Sequence, residues 1–205
     1  MKKLFQTLFK SEPTKNKGTI IVVSGLPRSG TSMMMKMLEA GGLQILTDNQ
    51  READIDNPKG YYEFERVKKL DKGDDQWLDE APGKVVKVIS LLLKHLPPRY
   101  NYKVIFIHRR MEEILASHHK MLDNRGETEE RISDEEMAGH FKAHLDNVFA
   151  WLEEQPNFSV LNVDYNQLIK DPRPYLPEIN NFLGGTLAVE KMGEVVDPNL
   201  YRNRA

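Results

Sequence analysis

Between Ile20 and Met37 the chain reads IIVVSGLPRSGTSMMMKM, and this stretch leaves the backbone little choice. Ile20, Ile21, Val22 and Val23 form an unbroken apolar run with no polar face, the pattern of a strand covered on both sides in a parallel sheet. Gly25 and Gly30 follow at once and admit a tight reversal that a side chain would block. Thr31 and Ser32 then put hydroxyls at the expected start of a helix. A strand that delivers a helix N-terminus in this way aims backbone N–H groups and the positive end of the helix dipole at an anion, most often a phosphate.

The spacing Gly25-x4-Gly30 followed by Thr31-Ser32 nearly satisfies the nucleoside-triphosphate pattern G-x4-G-K-[ST], but Thr31 stands where the lysine belongs. The positive charge sits earlier, at Arg28, inside the turn. The usual lysine reaches the β- and γ-phosphates, whereas a cation within the loop meets whatever is attached to a 5′-phosphate. The segment SGLPRSGTS resembles the 5′-phosphosulfate loop of the sulfotransferases, P-[KR]-[ST]-G-T-[ST]. An ordinary glycine-rich βα turn with no ligand is the plainer alternative.

Three later segments resemble the same family in the same order, so that the likeness runs from about Ile20 to Arg204. NPKGYYE (Asn57 to Glu63) is similar to its NP-[RK]-G-[YFW]-x-E segment and makes Glu63 the candidate base, with Glu65 as the nearest competitor. A carboxylate there removes the proton of a hydroxyl acceptor if it is positioned; otherwise it is a carboxylate favoured by the dipole of the helix expected over FERVKKL. In KVIFIHRRMEEILASHHKML, Arg109 at a strand end and Ser117 two helical turns later match the arginine and serine that hold the nucleotide 3′-phosphate in that family. Either Arg109 or Arg110 is the phosphate-holding member, and a salt bridge to Glu112 or Glu113 is the structural alternative. VDYNQLIKDP is similar to V-x-Y-E-x-L-x-x-D-P, with Asn166 in place of the usual Glu, and is read as fixing the core and a helix end. Arg202 and Arg204 in the tail resemble the family's closing arginines and either cover the nucleotide or fray.

Between these segments the reading is mostly structural. Met34, Met37 and Leu38 mark a packing helix that ends at Gly41-Gly42, and Leu43 to Leu46 a short strand. The acidic stretch DKGDDQWLDEAPG reads as exposed, KVVKVIS as a buried strand interrupted by Lys87, and LLLKHLPPRY as a short helix with a surface His95. NRGETEERISD (Asn124 to Asp134) is a charged loop; Ser133 with Glu136 caps a long amphipathic helix, and FSVLNVDY is the last strand. His118, His119, His140 and His144 lack the partners and spacing of a metal site.

These elements predict an α/β fold, a three-layer P-loop-like arrangement with a central parallel sheet flanked by helices and a site at the strands' carboxyl ends. Residues 1–17 are a flexible or amphipathic arm, with Leu4, Phe5, Leu8 and Phe9 on one face and weak peripheral membrane contact as one role; residues 18–205 form one sulfotransferase-like domain. With 205 residues, 40% of them hydrophobic, the chain can build one sizeable core. A formal net charge of -2 argues against a nucleic-acid partner, and no apolar run is long enough to span a membrane. The six histidines come with no cysteine, which excludes a thiolate metal site and a cysteine nucleophile and is compatible with the cytoplasm.

The resemblance implies transfer of a sulfuryl group from 3′-phosphoadenylyl sulfate (PAPS) to a hydroxyl or amine acceptor, leaving 3′-phosphoadenosine 5′-phosphate (PAP), with no metal required. Pro27, Arg28, Ser29, Gly30, Thr31, Ser32, Arg109 and Ser117 would bind the donor, and Glu63 and Arg28 would act in catalysis. The rivals are a P-loop nucleotide kinase or NTPase, for which Asp164 is the one candidate magnesium ligand, and a catalytically inactive nucleotide-binding protein of the same fold.

Overall fold

A computed structural model describes residues 17–48, 50, 60–126 and 132–197. The arm before Lys17, the NPK part of the second segment with Lys59, and Arg202 and Arg204 lie outside the described residues. Four strands, β1 (Thr19–Gly25), β2 (Val85–Lys87), β3 (Asn101–His108) and β4 (Phe158–Asp164), form one parallel sheet in the order β2-β1-β3-β4. Each of the first three strands is therefore followed by a crossover, and every crossover begins at the same edge of the sheet.

The unbroken apolar run of β1 has a direct cause. Ile20 and Val22 face one side with Val86, Val104 and Phe106, under the helix α3 (Asp134–Glu153) and three 3-10 segments at Glu65–Lys72, Gln76–Glu80 and Ser90–His95. Ile21 and Val23 face the other with Val85, Ile105, Ile107 and Val163, under α1 (Thr31–Ala40), α4 (Tyr165–Lys170), α5 (Tyr175–Leu183) and α6 (Val189–Glu194). Adjacent residues of one strand thus enter two cores, which is what a sheet buried on both faces demands. The layers are the three expected.

Several local expectations are corrected. Trp77, Leu78 and Ala81 of the acidic stretch are buried; the Trp77 ring packs edge-on against Phe64 with centroids 5.3 Å apart, and its Nε1 donates to the Asp74 carbonyl at 2.9 Å. The charges of that stretch point outward while its apolar members turn in. The FERVKKL helix is a 3-10 segment, and Leu43 to Leu46 contributes one bridge, Ile45 to Val85, and no strand. The charged loop after the β3 crossover begins later than Asn124, because α2 (Met111–Arg125) continues to Arg125 and closes at Gly126, whose φ of 68° fits the left-handed end position. His119 Nε2 lies 3.0 Å from the Asp134 carboxylate.

Candidate active site

The carboxyl ends of β1, β2, β3 and β4 deliver, in turn, the loop from Leu26 to Gly30, Lys87, Arg109 and Tyr165. From β1 the chain leads to β2 on one side, and β3 lies on the other, so the β1 loop opens at the point where the strand order reverses. In open α/β sheets this is where ligands bind.

Within the loop, Gly30 carries a φ of 106° and caps α1. No side-chain hydroxyl caps the helix; the Ser32 hydroxyl instead donates to the Tyr61 carbonyl at 3.2 Å. The N–H groups of Thr31 and Ser32 precede the first intrahelical hydrogen bonds, which Met33 and Met34 donate to the Gly30 carbonyl, and they lie at the carboxyl end of β1. A Cβ on Gly30 would stand 2.3 Å from the Tyr165 ring, so β4 closes on the loop only because this residue has none. Likewise a Cβ on Gly25 would lie 2.6 Å from the Ser29 hydroxyl. Among the described residues, that Ser29 hydroxyl is fully buried and has no hydrogen-bond partner, an unmet donor in the floor of the loop. Pro27 is exposed at the loop tip.

Arg28 adopts a φ of 68°, uncommon for a residue with a side chain. Its Nε donates to the Ser117 hydroxyl at 2.9 Å, and its carbonyl accepts from Arg109 Nη1 at 3.0 Å. The first loop and the Arg109/Ser117 pair, 81 and 89 residues away from Arg28 in sequence, are thereby one cluster. Arg109 also donates through Nε to Glu113 at 2.9 Å and lies over the Tyr165 ring at 4.6 Å. Arg110 is exposed, and its backbone N–H donates to Asn166. Of the two arginines, Arg109 is the one that the structure brings to the loop.

On the β2 side, Glu63 reaches the same edge. Its carbonyl accepts from the Thr47 hydroxyl at 2.8 Å, and its carboxylate lies 3.2 Å from Lys68 Nζ and 3.9 Å from Lys87 Nζ. Lys87, only 8% exposed, donates to the Ser32 hydroxyl at 3.3 Å and closely to the Tyr61 carbonyl. The lysine that interrupts the strand pattern is thus at the strand's mouth and spans the gap between the loop and Glu63. Glu65 shares Lys68 with Glu63 and pairs with it at 2.6 Å. The sequence named Glu113 only as a salt-bridge alternative, and that salt bridge to Arg109 is present at the site itself; Asn166 and Tyr165 were read as core. Among the described residues no group of three or more His, Asp or Glu side chains is placed to hold a metal ion, and no helix is long and apolar enough to cross a membrane.

This constellation defines an α/β protein whose β1 loop is flanked by Arg109 and Ser117 on one side and by Lys87 and Glu63 on the other. The sulfotransferase domain model matches residues 19–202, and the chain belongs to that family. A mouse sulfotransferase, SULT7A1, solved in complex with PAP, superposes with a TM-score of 0.55 at 18% identity, covering 93% of this chain and 67% of that one. It supports the common fold. The sulfotransferase domain of the curacin biosynthetic pathway aligns at 18% identity over 82% of this chain and 75% of its own, with a TM-score of 0.48. A sugar kinase from Janibacter aligns over 92% of this chain and 98% of its own at 16% identity and a TM-score of only 0.39, too low to favour the kinase rival. No curated protein matches by sequence. The chain is a transferase of the sulfotransferase class, and the missing P-loop lysine is in keeping with that class.

Proposed function

We propose that the protein transfers a sulfuryl group from PAPS to a hydroxyl or amine acceptor and releases PAP. The observation that carries this reading is the direct contact of Arg28 with Ser117 and Arg109, which unites a 5′-phosphate loop with a pair suited to a 3′-phosphate. The buried Ser29 hydroxyl, the α1 N-terminus and two guanidinium groups fit a donor carrying anionic groups at both positions. When bound, PAPS supplies an electrophilic sulfur and a phosphate leaving group.

The residues divide the work by position. Pro27 shapes the loop tip. Arg28, Ser29 and the N–H groups of Gly30, Thr31 and Ser32 take up negative charge on the 5′ side, which is the form of stabilisation that counts most where charge develops. Arg109 and Ser117 receive the 3′-phosphate. Glu63 accepts the proton of the acceptor hydroxyl or amine, and Lys87, between Ser32 and Glu63, keeps a positive charge at the point where acceptor and loop meet. With cations and N–H donors handling the leaving charge, the reaction requires no metal.

The test is PAP release from PAPS in the presence of a panel of sugars, phenols, amines and tyrosyl peptides. Acceptor-dependent release is expected, and Glu63→Gln should lower kcat by about 10²-fold or more with PAP affinity unchanged. PAP binding without release for any acceptor would instead mark a catalytically inactive nucleotide-binding protein. Full activity in Glu63→Gln would move the base, with Glu65 next to be tried.

A further inference from the structure

Arg109 is held from more sides than a contact with a 3′-phosphate alone would need. Its side chain is only 7% exposed, its Nε is engaged by Glu113, its Nη1 holds the carbonyl of Arg28, and its guanidinium lies on the Tyr165 ring. Glu113 is wholly buried, and its second oxygen accepts from Asn166 Nδ2 at 2.7 Å. Asn166 in turn accepts from the Arg110 backbone N–H at 3.1 Å. The chain of contacts therefore runs from the β4–α4 junction through the β3–α2 junction into the β1 loop.

What it holds there is a non-glycine residue in the left-handed region, a conformation kept only where the surroundings fix it. Arg28 is gripped at both ends, by Arg109 at its carbonyl and by Ser117 at its Nε. We propose that Arg109, clamped by Glu113 and Asn166, is a positioning residue for Arg28, so that the 3′-phosphate pair and the 5′-phosphosulfate loop act as a single unit. The inference rests on the reading of this site as a PAPS site and adds that an anion at the 3′ position organises the cation at the 5′ position.

It also explains a departure from the family pattern. Where the related segment carries Glu, this chain carries Asn166. Glu113 already supplies the carboxylate for Arg109, and a second carboxylate against it would repel. An amide donates to one oxygen and leaves the other to the arginine. Because the Ser117 hydroxyl accepts from Arg28, its own hydrogen is left to donate to a different acceptor.

The experiment compares the affinities of PAP and adenosine 5′-phosphate for the wild type, Asn166→Ala and Asn166→Asp by titration calorimetry. Adenosine 5′-phosphate has no 3′-phosphate, so a purely 3′ role for the brace would leave it untouched. The proposal predicts that it weakens about fivefold or more in Asn166→Ala, with PAP weakening in parallel. Asn166→Asp should show the same loss, regained as the pH falls far enough to protonate the added carboxyl. Weakening of PAP alone, or of neither ligand, overturns the proposal. A wild type that binds neither nucleotide overturns the PAPS reading itself, and this inference with it. If the variants do not fold, the wild type carries the test through amide hydrogen exchange. Adenosine 3′-phosphate, which reaches only the 3′ pair, should protect the backbone of residues 28–32, and unchanged exchange there contradicts the coupling.

Discussion

Gly30 is the residue on which the site geometry turns. Its φ of 106° is closed to ordinary side chains, and the Tyr165 ring fills the space a Cβ would need. Gly30→Ala should therefore cost about 1–3 kcal/mol, lower the Tm by several degrees and abolish nucleotide binding; a melting curve and a PAP titration check this, and a variant with normal Tm and affinity contradicts it. The glycines of the loop were legible from the sequence, since spacing alone marks a phosphate turn. The left-handed Arg28 was not, because the contacts that hold it come from Arg109 and Ser117 far along the chain. Tyr62 is the same kind of residue: its φ is 53°, its hydroxyl donates to Glu39 at 2.7 Å, and it stands between Tyr61, which faces Lys87, and Glu63. Tyr62→Phe releases that tether and should lower kcat by up to about 10²-fold with PAP affinity unchanged, as expected of a misplaced base. An unaltered kcat would show that Glu63 is set without it.

At the scale of elements, long periodic segments were read with their type and ends, and short ones less fully. Helix α3 follows its sequence signal closely: Ser133 caps it by accepting from the Glu136 N–H at 3.2 Å, and Leu145, Val148, Phe149 and Leu152 join the core. Removing the cap in Ser133→Ala should cost about 1 kcal/mol by thermal denaturation. Of the 3-10 segments, Glu65–Lys72 and Ser90–His95 were read as helices without their type and Gln76–Glu80 was not read at all, because each buries only two or three residues, too few to establish a period. One of them meets α3 through the Ser90 hydroxyl and His144 Nε2, 2.9 Å apart. Burial, and secondarily the charge of Lys94, holds His144 below its ordinary value of 6.5. The unfolded ring protonates first as the pH falls, so the stability contributed by the neutral ring is complete above 6.5 and is lost through the lower folded value. His144→Gln, which keeps a partner for Ser90 but does not titrate, should flatten this part of the acid limb of Tm against pH. An identical acid limb in the variant would exclude His144 as its source.

For the whole molecule, the decisive arrangement is the strand order. The four strands and the residues at their carboxyl ends were readable from the sequence, along with a fifth strand at Leu43 to Leu46 that is not formed, but not which strands are neighbours; that depends on how the crossovers pack in three dimensions. Placing β1 between β2 and β3 sets Lys87 on one side of the loop and Arg109 on the other. Local cationic density at this edge coexists with a formal net charge of -2, so the attraction for an anionic donor belongs to the site and not to the chain as a whole. The central claim, that this edge binds a 3′,5′-bisphosphorylated nucleotide, is tested most directly by the thermal shift with PAP against that with ATP and magnesium. PAP at about 100 times its dissociation constant should raise the Tm by about 5 to 11 °C, with no rise for ATP and magnesium. A rise with ATP and magnesium alone would contradict it.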